Sequence, residues 1–288
     1  MSPLQVTLAI LGISIIISFV YGLLTRNYST VDRLWSILPA VYVLVWMQDY
    51  LHNARFVIAG IIVIAWAIRL SLNFARRGGY AFSFKKGFTG EDYRWEIMRE
   101  KIPNRFAFEL FNLFFISAFQ LVLVFMITLP MYFLGQYDAP FTWLDFVLFG
   151  LHILFLTLET IADNQQFRFQ TDKKLPEFAD SKRHQLGFNT FGLWKISRHP
   201  NYSFEMSQWV VVAFYAMAAM GHFHWSAVGV VVLIFLFVGS TNLTETITTS
   251  KYPRFAEWRK ASSAWMPFIS AFKQKKNRKI FMRSIEEE

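Results

Sequence analysis

Residues 4–24 contain no charged side chain, and comparable apolar runs recur along the chain. A helix of about 20 apolar residues is what a bilayer's hydrocarbon core requires. Inside lipid no water can bond the backbone, so a spanning segment must satisfy its own N–H and C=O groups, as a helix does. The runs predict spans at residues 4–24, 34–47, 56–75, 106–134, 141–169, 200–220 and 225–248. No basic stretch leads into the first run and no small-residue cleavage site follows it, so it reads as a transmembrane helix rather than a signal peptide. Composition agrees: 54% of residues are hydrophobic, 18% aromatic and only 17% charged, where a soluble domain carries about a quarter charged. The expected fold is all-α: a polytopic membrane protein with seven transmembrane helices around a polar cavity that faces the cytosol, in a single domain over 1–288.

The formal net charge is +9. In a soluble chain that excess would point to nucleic acid; here it reports orientation, because cytoplasmic loops collect Lys and Arg. Segments 25–33, 76–106, 168–199 and 251–288 hold 2, 8, 7 and 10 Lys or Arg, 27 of the 29 present. Arg69 lies within a span and Arg55 alone falls on the opposite side. The bias predicts a cytosolic C-terminus and no nucleic-acid partner. The expected location is the endoplasmic reticulum in a eukaryote or the inner membrane in a bacterium, and the basic tail with Lys273, Lys275 and Lys276 reads as a positive-inside anchor. There is no cysteine, which excludes disulfides, thiolate nucleophiles and Cys-ligated metals. No zinc-type His spacing, phosphate loop, Gly-rich dinucleotide turn or nucleophile elbow occurs. His222 and His224 flank Phe223 in a short turn, and no pair of related halves marks a transporter.

Ionisable residues inside spans cost roughly 2.5–3.5 kcal/mol each on insertion scales, so each needs a reason. Trp66, Arg69, Asn73 and Arg76 form one polar stripe on the third span, and Glu159, Asp163 and Gln166 one on the fifth. Asn201, Glu205 and Gln208 share a face of the sixth with Trp209, and Thr241, Thr244, Glu245 and Thr248 lie on the seventh. Four stripes at one depth point to a polar cavity. For single residues the plainer alternatives are structural pairs such as Asp163 with Arg168 or Glu205 with Arg198, and an Arg69 that snorkels to the interface.

The densest polar block is 187–209, where Arg198, His199, Asn201, Tyr202 and Glu205 fall within eight positions ahead of an apolar run. Pro200 suits the first position of a helix, where its missing N–H costs nothing. The helix N-terminus carries about half a positive charge, and Arg198 and His199 stand beside it. That chemistry fits an anion such as a phosphate. In the preceding loop, the stretch from Glu91 to Trp95 predicts a helix at the membrane surface, and Pro130 is expected to kink or end the fourth span.

The block from Gly192-Leu193-Trp194 through Ser197-Arg198-His199-Pro200-Asn201-Tyr202 to Glu205 resembles the C-terminal signature of the steroid 5-alpha-reductase family, most closely its branch described as domain of unknown function 1295. Other markers follow in order. They are Asp32-Arg33-Leu34-Trp35; Trp66 with Arg69, Arg76, Arg77 and Gly78; Glu91-Asp92-Tyr93-Arg94; and Glu159, Asp163, Gln166 and Arg168. The closing element is Lys251-Tyr252-Pro253 with Ala264-Trp265-Met266-Pro267. The match covers about 32–267.

The resemblance implies a seven-helix reductase that holds NADPH and delivers hydride to the β-carbon of a conjugated enone. The substrate it implies is lipophilic: a steroid, sterol, polyprenoid or fatty-acyl chain. Arg69, Asp163, Arg168, Arg198, Asn201, Tyr202, Glu205, Glu245 and Tyr252 form the expected cofactor-binding set. In it Arg69, Arg168 and Arg198 sit on phosphates, and Asp163, Asn201 and Glu205 on ribose or nicotinamide. Asp32, Trp66 and Arg69 form the expected catalytic set. Trp66 stands where the steroid reductases have a Tyr on the substrate carbonyl; its indole N–H donates a hydrogen bond but is no proton source. After Tyr202 the branch commonly has Phe-Gly-Glu; here the stretch is Ser203-Phe204-Glu205, without the Gly that permits close backbone approach. Two other classes compete. A membrane methyltransferase of the isoprenylcysteine type, using S-adenosylmethionine, shares an Arg-His-Pro-x-Tyr motif but carries an Asn-Pro between its last spans and paired Glu in the final one; here that turn is Gly221-His222-Phe223-His224 and only Glu245 is present. The other is a non-catalytic lipid-binding membrane protein.

Overall fold

A computed structural model describes residues 1–85, 87–265 and 274–287; Met266, Pro267 and Lys273 of the closing signature and tail lie outside the described residues. The chain is all-α with a single two-stranded hairpin among the described residues. In order it runs α1 (Pro3–Thr25), α2 (Thr30–Tyr50), α3 (Ala54–Arg76), β1 (Phe82–Ser83), β2 (Gly87–Phe88) and α4 (Tyr93–Lys101). Then come α5 (Arg105–Phe111), a π-helical stretch (Asn112–Phe119), α6 (Gln120–Gly135), α7 (Trp143–Asp172), α8 (Lys182–Gln185), α9 (Pro200–Met220), α10 (Val228–Lys251), α11 (Phe255–Ala261) and α12 (Lys275–Glu287). Among the described residues six helices are long and apolar enough to cross a membrane: Pro3–Thr25, Thr30–Tyr50, Ala54–Arg76, Arg105–Gly135, Trp143–Asp172 and Trp225–Lys251. The protein is a polytopic membrane protein. α9 begins at Pro200 as expected, but it is not among the six, because its first half carries Asn201, Glu205 and Gln208.

Local chemistry sets the helix starts. Ser2 and Gln5 form a capping box with Pro3 at the first helical position of α1, satisfying N–H groups that have no partner within the helix. Asn53, Asp92 and Asn104 cap α3, α4 and α5 through their side-chain oxygens. The helix expected after Glu91 is α4, beginning one residue beyond its Asp92 cap. Two expectations about length change. The second span starts at Thr30, so Asp32 and Arg33 are in its first turn rather than ahead of it; an acid there complements the helix dipole. Pro130 does not end its span, since α6 continues to Gly135.

The chain divides into two compact units, residues 1–150 with 210–232 and residues 151–209 with 233–288. In the first, α2 lies against α1, α3 and α6. Tyr42, Trp46 and Phe125 form its aromatic centre, with Tyr42 edge-on to Phe125 at 5.3 Å, and Trp46 donates to Thr7 Oγ1 at 3.3 Å. The link after α3 is tied back to the start of α2: Arg33 donates to the carbonyls of Gly79 and Gly90, Asn27 to those of Phe88 and Gly90, and Tyr28 N–H to Glu91. In the second unit Leu186, Phe188, Phe255, Trp258, Ala261, Phe281 and Ile285 make the apolar core.

Candidate functional site

In the second unit residues 187–199 are folded onto α7 and onto the segment after α11. Gly192 has φ of 58°, and a Cβ there would meet the Gln165 amide at 2.3 Å. That contact lets Leu193 N–H bond Gln165 Oε1 at 2.9 Å, while Trp194 Nε1 donates to the Ala162 carbonyl at 3.0 Å. Ser197 bridges Ser263 in parallel, Arg198 N–H donates to the Ser263 carbonyl at 2.8 Å and His199 N–H to that of Ala264 at 3.1 Å. The backbone that enters α9 is therefore held before its side chains are considered.

The held segment delivers Arg198 and His199 to Glu245 of α10, which is 3% exposed. Arg198 Nε donates to Oε1 at 2.6 Å, Arg259 Nε lies 2.8 Å from Oε2, and His199 Nε2 lies 3.1 Å from Oε1. The carboxylate only accepts, so that ring nitrogen carries the proton. Arg198 also bonds the carbonyls of Arg259 and Ser262. One carboxylate against two guanidiniums leaves net positive charge even with His199 neutral. The Tyr202 ring stacks on His199 at 5.3 Å and meets Phe237 edge-on at 4.8 Å.

The other flank of the first turns of α9 meets α7. Asn201 Nδ2 donates to Asp163 at 3.2 Å and Gln208 Nε2 to Glu159 at 2.5 Å; within α9, Trp209 Nε1 donates to Glu205 at 2.9 Å. Asp163, Glu159, Glu205 and Gln208 are all buried. The acceptor oxygens Asn201 Oδ1, Gln208 Oε1 and Gln166 Oε1 are buried without a hydrogen-bond partner. A buried unmet acceptor costs free energy, and a ligand bearing hydroxyl or amide N–H groups would satisfy it. The arrangement offers positive charge and carboxylate–amide pairs along one helix start, with no group of His, Asp or Glu that could hold a metal among the described residues.

A family model described as "Protein of unknown function (DUF1295)" matches residues 18–262. The chain belongs to the DUF1295 family. An uncharacterized protein of Schizosaccharomyces pombe is 30% identical over 278 residues, covering 88% of this chain and 79% of that protein. No solved structure matches the chain.

The DUF1295 match spans every expected site residue, from Asp32 to Tyr252. Asp163, Arg198, Asn201, Tyr202, Glu205 and Glu245 all lie within the second unit of this DUF1295 protein, on the two flanks described above. Arg168 is also there, but its side chain is 84% exposed and pairs with Asp172 at 3.4 Å. Tyr252 packs over Gly187, whose φ is 79°. It lines a cleft of about 470 Å³ with Lys182, Lys251 and Arg254 over Leu186 and Ile285. Asp32, Trp66 and Arg69 lie in the first unit. Asp32 accepts Trp95 Nε1 at 2.8 Å and Arg94 at 3.4 Å; Trp66 is buried in α3, with Arg69 three positions on and Arg76 bonded to Asn73.

The pairs considered from sequence are not those that form. Arg198 pairs with Glu245 rather than Glu205, and Asp163 with Asn201 rather than Arg168. Sequence reasoning also missed Arg259, which in the linear chain is one of ten basic residues after position 250. His199 was visible in the motif; its partner was not.

Proposed function

We propose that this DUF1295 protein is an NADPH-dependent membrane reductase that saturates a conjugated carbon–carbon double bond of a lipophilic substrate such as a steroid, sterol, polyprenoid or fatty-acyl chain. The observation that carries the reading is the start of α9. There Arg198, His199 and Arg259 surround Glu245 with net positive charge, and Asn201 Oδ1 is buried without a partner beside Asp163. Guanidinium groups and a helix N-terminus suit phosphates. Carboxylates and the free amide oxygens suit ribose hydroxyls and the nicotinamide amide. The resemblance to the steroid 5-alpha-reductase family supports the same cofactor.

NADPH would supply a hydride to one alkene carbon, and an acid or solvent a proton to the other. The chain's own groups bind and orient. Arg198 and Arg259 hold anionic oxygens while Glu245 keeps both guanidiniums in place, and Asp163 fixes the Asn201 amide through its N–H. Trp66, with Asp32 and Arg69, belongs to substrate recognition in this reading, its indole N–H polarising a carbonyl. Positive-inside charge supports a cytosolic C-terminus, with α9 as a seventh membrane segment.

The test is thermal unfolding of the detergent-purified protein with NADPH, NADH and S-adenosylmethionine in separate titrations. A ligand that binds only the folded state raises apparent stability with its concentration over Kd. Stabilisation by NADPH is expected. Stabilisation by S-adenosylmethionine alone would assign the protein to membrane methyltransferases, and no response to any of the three would leave a lipid-binding role.

A further inference from the structure

The hairpin of β1 and β2 has no part in the proposed chemistry, and it leaves two phenylalanines in the open. Phe82 pairs with Phe88 and Ser83 with Gly87 across the strands. Phe84 at the turn is fully exposed, at 101%, and Phe82 is 57% exposed, with the two rings 5.7 Å apart. Lys85 beside them is exposed as well. Large apolar side chains grouped at one tip mark a contact surface rather than a chance exposure.

The stem of the hairpin shows what lies against that tip. Phe88 N–H donates to Tyr21 Oη at 2.8 Å, and the Phe88 and Tyr21 rings meet edge-on at 6.0 Å. Gly87 has φ of 70°, and a Cβ there would meet Tyr21 Oη at 2.6 Å. Asn27 donates to the Phe88 carbonyl at 2.9 Å, and the Arg33 guanidinium lies 4.2 Å over the Phe88 ring. Tyr21 lies one helical turn before the end of α1, a span whose Ile13, Ile16, Ile17, Val20 and Leu24 are exposed along one face. One turn of helix is about 5.4 Å of axis. The hairpin is thus tied at the depth where α1 leaves the hydrocarbon. At that depth apolar side chains such as Phe bury at the headgroup–acyl boundary, and a lysine meets anionic lipid.

We propose that the hairpin is an interfacial anchor: Phe82 and Phe84 enter the headgroup–acyl boundary of the bilayer that α1 crosses, and Lys85 lies among its headgroups. The occupant is the lipid surface of the protein's own membrane. The stem fixes the tip rigidly to α1 and to the start of α2, so the anchor also sets the level at which the loop to α4 meets the membrane.

The chain's lack of cysteine makes the test direct. Phe84→Cys, and separately Glu100→Cys at the exposed end of α4, are labelled with an environment-sensitive fluorophore. The full-length protein is then placed in vesicles of phosphatidylcholine with a minor fraction of phosphatidylglycerol. The label at position 84 is expected to be quenched severalfold more strongly than that at position 100 by lipids carrying a nitroxide near the headgroup, and severalfold less by aqueous iodide. Equal iodide quenching at the two positions, with no effect of the nitroxide lipid at 84, would overturn the proposal. So would quenching of the 84 label by neither agent, which would mean that protein covers the tip. A Lys85→Cys label gives a second reading at the same turn and is expected to respond to the headgroup nitroxide.

Discussion

Glu245 receives the Arg198 guanidinium through two bonds, Nε to Oε1 at 2.6 Å and Nη2 to Oε2 at 3.3 Å. The bidentate geometry joins the segment that enters α9 to the last third of α10, and Arg259 completes it from α11. A buried charge that loses its partner is destabilising by roughly 3–5 kcal/mol, whereas an exposed ion pair contributes about 0–1 kcal/mol. Glu245→Gln should therefore lower the melting temperature strongly, while Arg259→Ala, at a side chain 47% exposed, should change it little. Comparable melting temperatures for the two variants in detergent would contradict this account.

At Asn201 binding and stability should both respond, since its Nδ2 also donates to the buried Asp163. Asn201→Ala removes the unpartnered acceptor, and the loss of one good hydrogen bond in a site corresponds to about a tenfold weaker Kd for NADPH, or 1.4 kcal/mol. Arg168→Ala should leave the NADPH titration unchanged, because the Arg168 side chain is exposed to solvent and pairs with Asp172 on its own helix. Titrated thermal shifts of the two variants against wild type check both outcomes.

Arg55 and Asp145 are 2% and 0% exposed, and Nε and Nη2 of Arg55 donate to the two carboxylate oxygens at 2.5 and 2.8 Å. Thr142 donates to the same carboxylate through backbone and hydroxyl. Asp145→Ala and Arg55→Ala should each cost roughly 3–5 kcal/mol, and the double variant clearly less than their sum. A double-mutant cycle by denaturant unfolding measures the coupling; additive losses would count against it.

Gly229 and Gly150 should respond oppositely to the same change. A Cβ on Gly229 would lie 2.6 Å from the Met126 backbone carbon, so α6 and the start of α10 would have to separate. A Cβ on Gly150 meets nothing within 4 Å. Gly229→Ala is expected to destabilise by about 1–3 kcal/mol, as overpacking does. Gly150→Ala should be neutral or slightly stabilising, since Ala is the better helix former. Melting temperatures decide the matter.

Asp92 gives the loop helix a pH dependence. Burial favours its neutral form, but the Arg94 guanidinium and the N–H bonds Arg94 donates outweigh this and hold the pKa below the usual carboxylate value. A depressed folded-state pKa contributes stability above the unfolded value of about 3.9 and loses it as pH falls through the folded value. Asp92→Asn should therefore be less stable than wild type near neutral pH and should shed less stability on acidification. Parallel pH–melting curves for the two proteins would contradict the assignment.

Much of the helical framework was legible because lipid leaves the backbone few options. The apolar runs at 4–24 and 56–75 lie within Pro3–Thr25 and Ala54–Arg76, and Pro200 opens α9 where its ring geometry requires. The π-helical stretch Asn112–Phe119 was not legible. Its first residue, Asn112, bonds Glu109, Ser117 and the Phe19 carbonyl, and the last of these belongs to another helix. Pro130 lies inside α6, which runs on to Gly135, so of the two outcomes expected for it, a kink or an end, the end does not occur there.

At the candidate site, spacing along the chain marked the polar stripes and the block at 187–209, since residues three and four apart on one helix must share a face. By itself, then, the sequence determined that this is a helical membrane protein, roughly where its helices run, and that Arg198, Asn201, Glu205 and Glu245 are anomalous in an apolar setting. Partner choice was decided only by the tertiary structure. Arg198 pairs with Glu245, 47 positions away, and Asn201 with Asp163, 38 away. Periodicity within a helix carries no information about which face of another helix it meets; backbone bonds from Arg198 and His199 to Ser263 and Ala264 settle that.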